Sequence, residues 1–216
     1  MASSPEKLTA KDRAYEFTKG RVLDSTFAGG ELITEGEVAD ALGVSRTPVR
    51  EAFLRLEGEG LLRLYPKRGA LVVPVSIGEV DAVMETRMLV ERFALDKLLA
   101  RRAAPEIADE LDAAIAEQEQ RAASGDADGF VAVDREFHTT FVTAADNPII
   151  TGLYDSLRDR QQRMIITSLL VDRKRADSIL VEHRALAGAI REGELDRALA
   201  VLDAHLRGTL ELLRPG

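Results

Sequence analysis

From Ser76 to Leu213 the sequence carries no strand signal. Apolar residues recur at three- and four-residue spacing through segments at about 77–103, 105–123, 127–145, 148–169, 171–191 and 194–213. That is the period of helices with one buried stripe. The breaks between them are helix punctuation. Ser76-Ile77-Gly78-Glu79 reads as a capping box, Ala104-Pro105 and Asn147-Pro148 put proline in a first turn, Ser124-Gly125-Asp126 ends a segment, and Gly193 separates the last two. Such a run predicts an all-α antiparallel bundle over residues 76–216.

The chain before Ser76 reads differently. A first helix is expected over about 8–26, broken by Phe27-Ala28-Gly29-Gly30. Thr34-Glu35-Gly36-Glu37 is a capping box that opens a short helix over 35–42, stopped by Gly43. Ser45 can cap a second helix that tolerates Pro48 in its first turn and runs to about Gly58. Two β-prone runs follow, Leu61–Tyr65 and Ala70–Val75, joined by Pro66-Lys67-Arg68-Gly69. The boundary at Pro74–Ser76 predicts a mainly α protein with two domains: a winged helix-turn-helix over 1–75 and the bundle over 76–216.

Composition narrows the chemistry. The 216 residues are 45% hydrophobic, enough for a real core. Apolar runs such as Ala70–Val75 are far too short to span a bilayer, and the charged first twenty residues predict no secretory leader, so a cytoplasmic protein with no membrane partner is expected. There is no cysteine, which removes disulfides, thiolate metal sites and thiol nucleophiles, and with only three histidines any histidine chemistry must use His138, His183 or His205. Residues 1–75 hold 11 basic and 11 acidic side chains and residues 76–216 hold 18 and 26, so the net −8 belongs to the bundle. Contact with nucleic acid must therefore rest on a local patch.

Glu37–Glu57 has the spacing of a helix, a tight turn and a groove-reading helix. Arg46 and Arg50 are four apart and share a face, and arginine suits bidentate contact with guanine. Ser45 and Thr47 stand at the helix start, where phosphate is welcome. Lys67 and Arg68 at the hairpin tip can reach the backbone or the minor groove. Val49, Phe53, Leu54 and Leu56 are expected to pack on Val38, Ala41 and Leu42. Two arginines alone would be read as solvated; the arrangement with a basic wing directly after them is far more specific. The run Glu37-Val38-Ala39-Asp40-Ala41-Leu42-Gly43-Val44-Ser45-Arg46-Thr47-Pro48-Val49-Arg50-Glu51-Ala52, with Leu56–Leu61 and Arg68-Gly69-Ala70, strongly resembles the winged helix-turn-helix of GntR-superfamily transcription regulators. The resemblance implies base reading by Arg46 and Arg50, phosphate contacts by Ser45 and Thr47, and a wing tip around Gly69. Gly36 stands where many members carry a DNA-contacting arginine.

In the bundle, Asp134 and His138 lie in or beside the stripe Phe130, Phe137, Phe141 and Ala145. His183 lies within Ile179, Leu186, Ala187 and Ile190, and His205 at the edge of Leu195, Ala198, Leu199, Leu202 and Leu206. A single histidine so placed is usually a hydrogen-bonded core residue. Three of them with a buried aspartate favour convergence on a divalent ion of the zinc, nickel or manganese class. Arg87 shares its stripe with Val80, Met84, Ala94 and Leu98 and needs a buried anion: either Glu91, four residues on, or the carboxylate of a bound effector. The segment Ser76–Leu213 resembles the FCD effector domain of the FadR branch, on Arg87–Glu91, Asp134–His138, Asn147-Pro148, Glu182-His183 and Ala204–Leu206. The resemblance implies Asp134, His138, His183 and His205 as metal ligands with a small organic acid beside them.

The leading expectation is a ligand-responsive regulator, a repressor and not an enzyme, that binds a palindromic double-stranded operator as a homodimer. The alternatives are a metal-dependent hydrolytic enzyme with an accessory helix-turn-helix, and a bundle whose metal is only structural.

Overall fold

The structure, a computed structural model, describes residues 8–101, 104–171 and 174–214. The chain divides into two compact units, Met1–Val75 and Ser76–Gly216.

The first unit runs α1 (Ala10–Leu23), β1 (Leu32–Ile33), α2 (Glu35–Leu42), α3 (Arg46–Gly58), β2 (Leu62–Tyr65) and β3 (Gly69–Val72). Thr34 and Glu37 cap α2 reciprocally, and Gly43 closes it in the left-handed region at φ 63°. The three strands form an antiparallel sheet in the order β1-β3-β2. Val49, Ala52, Phe53 and Leu56 of α3 are buried against Ala14, Tyr15 and Val22 of α1 and against Ile33, Leu62 and Val72 of the sheet.

One strand was not expected, and two expectations need correcting here. The strand β1 has only two residues, too few for alternation to announce it, and exists because β3 offers it a ladder. Leu54 is exposed, because the buried stripe of α3 is 49, 52, 53 and 56 and Leu54 lies off it; Ala41 is exposed as well. Ser45 has the N-cap backbone, but its side chain makes no capping hydrogen bond.

The second unit is helical throughout its described residues: α4 (Ile77–Ala100), α5 (Ala104–Ser124), α6 (Ala127–Ala144), α7 (Pro148–Ser156), α8 (Arg158–Val171), α9 (Arg175–Glu192) and α10 (Leu195–Leu213). Ser76, Asp126 and Asn147 accept first-turn N–H groups as caps. Residues 102–103, at the expected end of the first bundle helix, and 172–173, near the expected start of the fifth, lie outside the described residues. The single helix expected over 148–169 is two. Leu157 donates its N–H to the Tyr154 carbonyl, and the Ser156 hydroxyl bonds Leu153 O at 2.6 Å, so the turn tightens without glycine or proline. The packing of α5 on α6 and α9, of α10 on α9 and α4, and of α4 on α6 brings the stripes of α4, α5, α6, α9 and α10 to one interior. Phe130, Phe137, Phe141, Leu98, Leu111, Leu186, Ile190 and Leu202 fill it. No described helix is long and apolar enough to cross a membrane.

Candidate functional site

Two sites emerge, one in each unit. The first is an open groove between the start of α2, α3 and the β2–β3 wing. Thr34, Glu35, Gly36, Arg46, Arg50, Tyr65, Lys67, Arg68 and Gly69 line it. Ser45, Arg46, Thr47, Arg50, Lys67 and Arg68 are exposed, and neither Arg46 nor Arg50 has an ion-pair partner among the described residues. The Arg46 guanidinium lies over the first turn of α2, where a Cβ added to Gly36 would sit 3.4 Å from its Nη2. At the wing tip Arg68 donates its N–H to Tyr65 O at 3.0 Å, with Pro66 second in the turn and Lys67 third at φ 63°. Glu57 Oε1 accepts the Leu64 N–H at 2.8 Å and fixes β2 to the end of α3. The groove thus gathers four cations in a unit whose net charge is zero.

The second site is sealed inside the bundle. One ring nitrogen from each of His138, His183 and His205 lies within 4.8 Å of the other two. The three ring centroids form a nearly equilateral triangle, with separations of 5.1, 5.0 and 5.0 Å. Phe137 stacks on His183 at 3.9 Å. Asp134 Oδ1 is 3.6 Å from His183 Nε2, so the aspartate is beside the cluster, although it does not close to the same distance from all three rings.

The partners of the histidines decide which nitrogens face inward. His138 Nδ1 donates to Glu91 Oε2 at 2.9 Å, and His205 Nδ1 donates to Glu182 Oε2 at 2.6 Å. His183 Nδ1 lies 2.9 Å from Gln118 Oε1. With all three Nδ1 atoms bonded outward, the Nε2 atoms point at one another. His138 Nε2 and His205 Nε2 are 3.2 Å apart, and His183 Nε2 is buried with no hydrogen-bond partner among the described residues.

Charge tells the same story. Burial alone would raise the Glu91 carboxyl, but the Arg87 guanidinium and His138 beside it outweigh burial and hold it well below the usual carboxylate range. Glu91 accepts from Arg87 Nε at 2.6 Å and from the Tyr154 hydroxyl at 2.9 Å. Glu182 likewise stays low against burial, through hydrogen bonds from His205 and Arg175. Burial, aided by its two histidine neighbours, pushes His183 well below its ordinary value; burial also lowers His205, partly opposed by Glu182. Both rings are therefore neutral donors. If the Arg87–Glu91 and Arg175–Glu182 pairs are counted as cancelling, the formal charge left over is the Asp134 carboxylate. Inward-facing imidazole lone pairs, one without a partner, and a buried carboxylate suit a borderline divalent cation.

Sequence reasoning placed Asp134, His138, His183, His205 and Arg87 on inward faces, and all five are buried. Arg87 pairs with Glu91; that pair uses Nε, and its two terminal nitrogens have no hydrogen-bond acceptor among the described residues. Gln118, Tyr154 and Arg175 were missed. For Gln118 there was a signal: it continues the buried α5 stripe Ala108, Leu111 and Ile115, and a polar residue in that register needs a polar reason.

Residues 10–72 match the family of bacterial regulatory proteins called gntR, and residues 82–208 match the FCD domain. The gluconate operon transcriptional repressor of Bacillus subtilis is 29% identical over 89% of this chain and 79% of its own. The transcriptional repressor RspR of Escherichia coli K12 is 26% identical over 93% and 87%. Among solved structures, E. coli McbR/YncC superposes with a TM-score of 0.73 at 20% identity, covering 96% of this chain and 98% of that one, a likeness of fold. Such relatives leave no place for the hydrolytic alternative: the chain belongs to the GntR family of bacterial regulatory proteins, with an FCD domain, and is a transcriptional regulator rather than an enzyme.

Proposed function

We propose that the protein is a repressor that binds a pseudo-palindromic operator as a homodimer and answers to a small carboxylate held in its bundle. The cytoplasm, where chromosomal DNA lies, is its expected place of work. Arg46 and Arg50 would read base edges in the major groove, Ser45 and Thr47 would hold phosphate at the start of α3, and Lys67, Arg68 and Gly69 would form the wing contact. Asp134, His138, His183 and His205 would hold a divalent ion of the zinc, nickel or manganese class, which supplies positive charge for an organic anion. Arg87 would meet that anion with the two terminal nitrogens its pair with Glu91 leaves over. The acidic bundle repels anions at long range, so affinity must come from these local charges, and a compact hydroxy acid or sugar acid fits better than a nucleotide.

The observation that carries this reading is the set of imidazole Nε2 atoms turned toward one another, each fixed from behind by a hydrogen bond to Nδ1. The test has three arms. Gel shifts on fragments flanking the gene should show specific binding, and Arg46→Ala or Arg50→Ala should each cost about 1–3 kcal/mol at particular bases. Lys67→Ala should weaken all sequences alike and flatten the salt dependence. Calorimetry with a panel of organic acids should show binding to the metal-loaded protein that chelation abolishes and Arg87→Ala weakens, with metal content unchanged. Operator affinity that survives the double arginine replacement would remove α3 from the groove, and carboxylate binding indifferent to metal would move the effector elsewhere.

A further inference from the structure

Gln118, on α5, is fully buried and bonds two members of the cluster that sit on different helices. Its Nε2 donates to Asp134 Oδ1 on α6 at 3.3 Å, and its Oε1 faces His183 Nδ1 on α9 at 2.9 Å. The chemistry of the partners sets the orientation of the amide. An ionised carboxylate only accepts, so the NH2 group must face Asp134 and the oxygen must face His183. His183 Nδ1 then carries the proton, and its Nε2 is a bare lone pair. The other two histidines rest on carboxylates, Glu91 and Glu182. Neither a carboxylate nor an apolar side chain at 118 could do both jobs, since only an amide donates at one end and accepts at the other.

We propose that Gln118 is the positioning residue for the Asp134–His183 half of the cluster: it selects the Nδ1–H tautomer of His183 and holds the Asp134 carboxylate beside the buried, unpartnered Nε2. Asp134 Oδ1 lies 3.6 Å from that Nε2, close enough to offer an alternative. Without Gln118, the proton moves to Nε2 and is donated to Asp134, so both groups are spent on each other and neither faces the centre. Backed by a neutral amide, His183 is also a weaker donor than the two histidines backed by carboxylates. The consequence for metal affinity rests on the reading of the cluster as a metal centre; the tautomer does not.

The test uses full-length, metal-free protein labelled with 15N at histidine, with His183 assigned from the His183→Gln spectrum. Two-bond 15N–1H correlation should show wild-type His183 as the Nδ1–H tautomer and Gln118→Met as the Nε2–H tautomer. In Gln118→Glu the new carboxyl and Asp134, buried side by side, take up one proton between them, and the other oxygen of the new carboxyl still accepts from His183, so the Nδ1–H form should persist; this variant decides the matter should the methionine variant fail to fold. Competition with a chromophoric chelator should then show Gln118→Met binding zinc about 10–100-fold more weakly than wild type. A wild-type His183 pattern in Gln118→Met, or an Nε2–H tautomer of His183 in Gln118→Glu, overturns the proposal whatever the metal does. Wild-type protein that takes up no zinc, while the tautomers shift as expected, overturns the metal reading and supports the linkage.

Discussion

At the scale of residues, the buried histidines make stability depend on pH in a direction their surroundings fix. Burial depresses His183 and His205 in the folded protein. Below about pH 6.5 the unfolded chain takes up protons at both positions that the folded, metal-free chain refuses. Their contribution is complete above that value and is lost as pH falls through it, by up to about 2–3 kcal/mol per pH unit for two groups. Glu91 and Glu182 are also depressed, so their contribution is complete above the ordinary carboxylate range, near pH 4.3, and is lost only below it. Between about pH 6.5 and 5.0 the histidines therefore set the slope, and denaturant melts of metal-free protein should be nearly level from pH 7.5 to about 6.5 and weaken below it. A flat profile would mean the two rings are not held neutral. The histidines themselves were legible, because each interrupts an apolar stripe in a chain with only three. Their supports were harder to read: Glu182 stands one residue from His183 and off its stripe, Arg175 begins its helix, and Tyr154 reads as an ordinary core aromatic until its hydroxyl is seen on Glu91.

At the scale of elements, local chemistry was legible wherever a cap or a glycine stop marked an end. The Thr34–Glu37 box, the Gly43 and Gly193 terminators and Asn147-Pro148 all stand where an isolated helix would need them. What could not be read depended on distant partners. The break at Leu157 follows a turn whose Tyr154 is anchored on α4, and β1 is made by its neighbour. The wing shows how far such a dependence reaches. Gly69 has φ +106°, and a Cβ there would collide with the Ile33 carbonyl oxygen of β1. Alanine at this position meets both a strained backbone and a strand that has no room to withdraw without leaving β3. Gly69→Ala should destabilise the first unit by about 1–3 kcal/mol and weaken operator binding, because Lys67 and Arg68 are carried on the same turn. Thermal melts should show the loss in the first unit alone. An unchanged melt and gel shift would show that β1 does not constrain the wing.

At the scale of the whole molecule, the change from mixed to purely helical patterning at Pro74–Ser76 was visible in the sequence, whereas assembly was not, since no periodicity says which exposed face is covered by a second copy. The helix α4 states the problem plainly. Its inner stripe carries Arg87 and Glu91, yet it leaves Leu89 74% and Phe93 43% exposed, four residues apart and so on one outward face. The neighbouring α7 leaves Ile149 and Leu153 exposed at the same spacing. The two half-sites of the proposed operator call for two reading modules, and a paired apolar face on the bundle would hold them together without asking DNA to do so. The bundle carries the whole net charge of −8, so any such pairing must overcome like-charge repulsion by apolar burial. Leu89→Asp with Phe93→Asp adds charge at the centre of that face, and removes the Phe93 ring's half-buried packing and its contact with Lys97 Nζ, 5.9 Å from the ring centroid. The double variant should sediment as a monomer with wild-type helical content by circular dichroism and a melting temperature that no longer depends on protein concentration. Its affinity for the full operator should fall by about 10²–10⁴, because the second half-site is no longer an intramolecular event, while its affinity for a single half-site stays at the wild-type value. A variant that remains dimeric would place the contact on another face, and one that loses half-site binding as well would show that the replacements had damaged the fold.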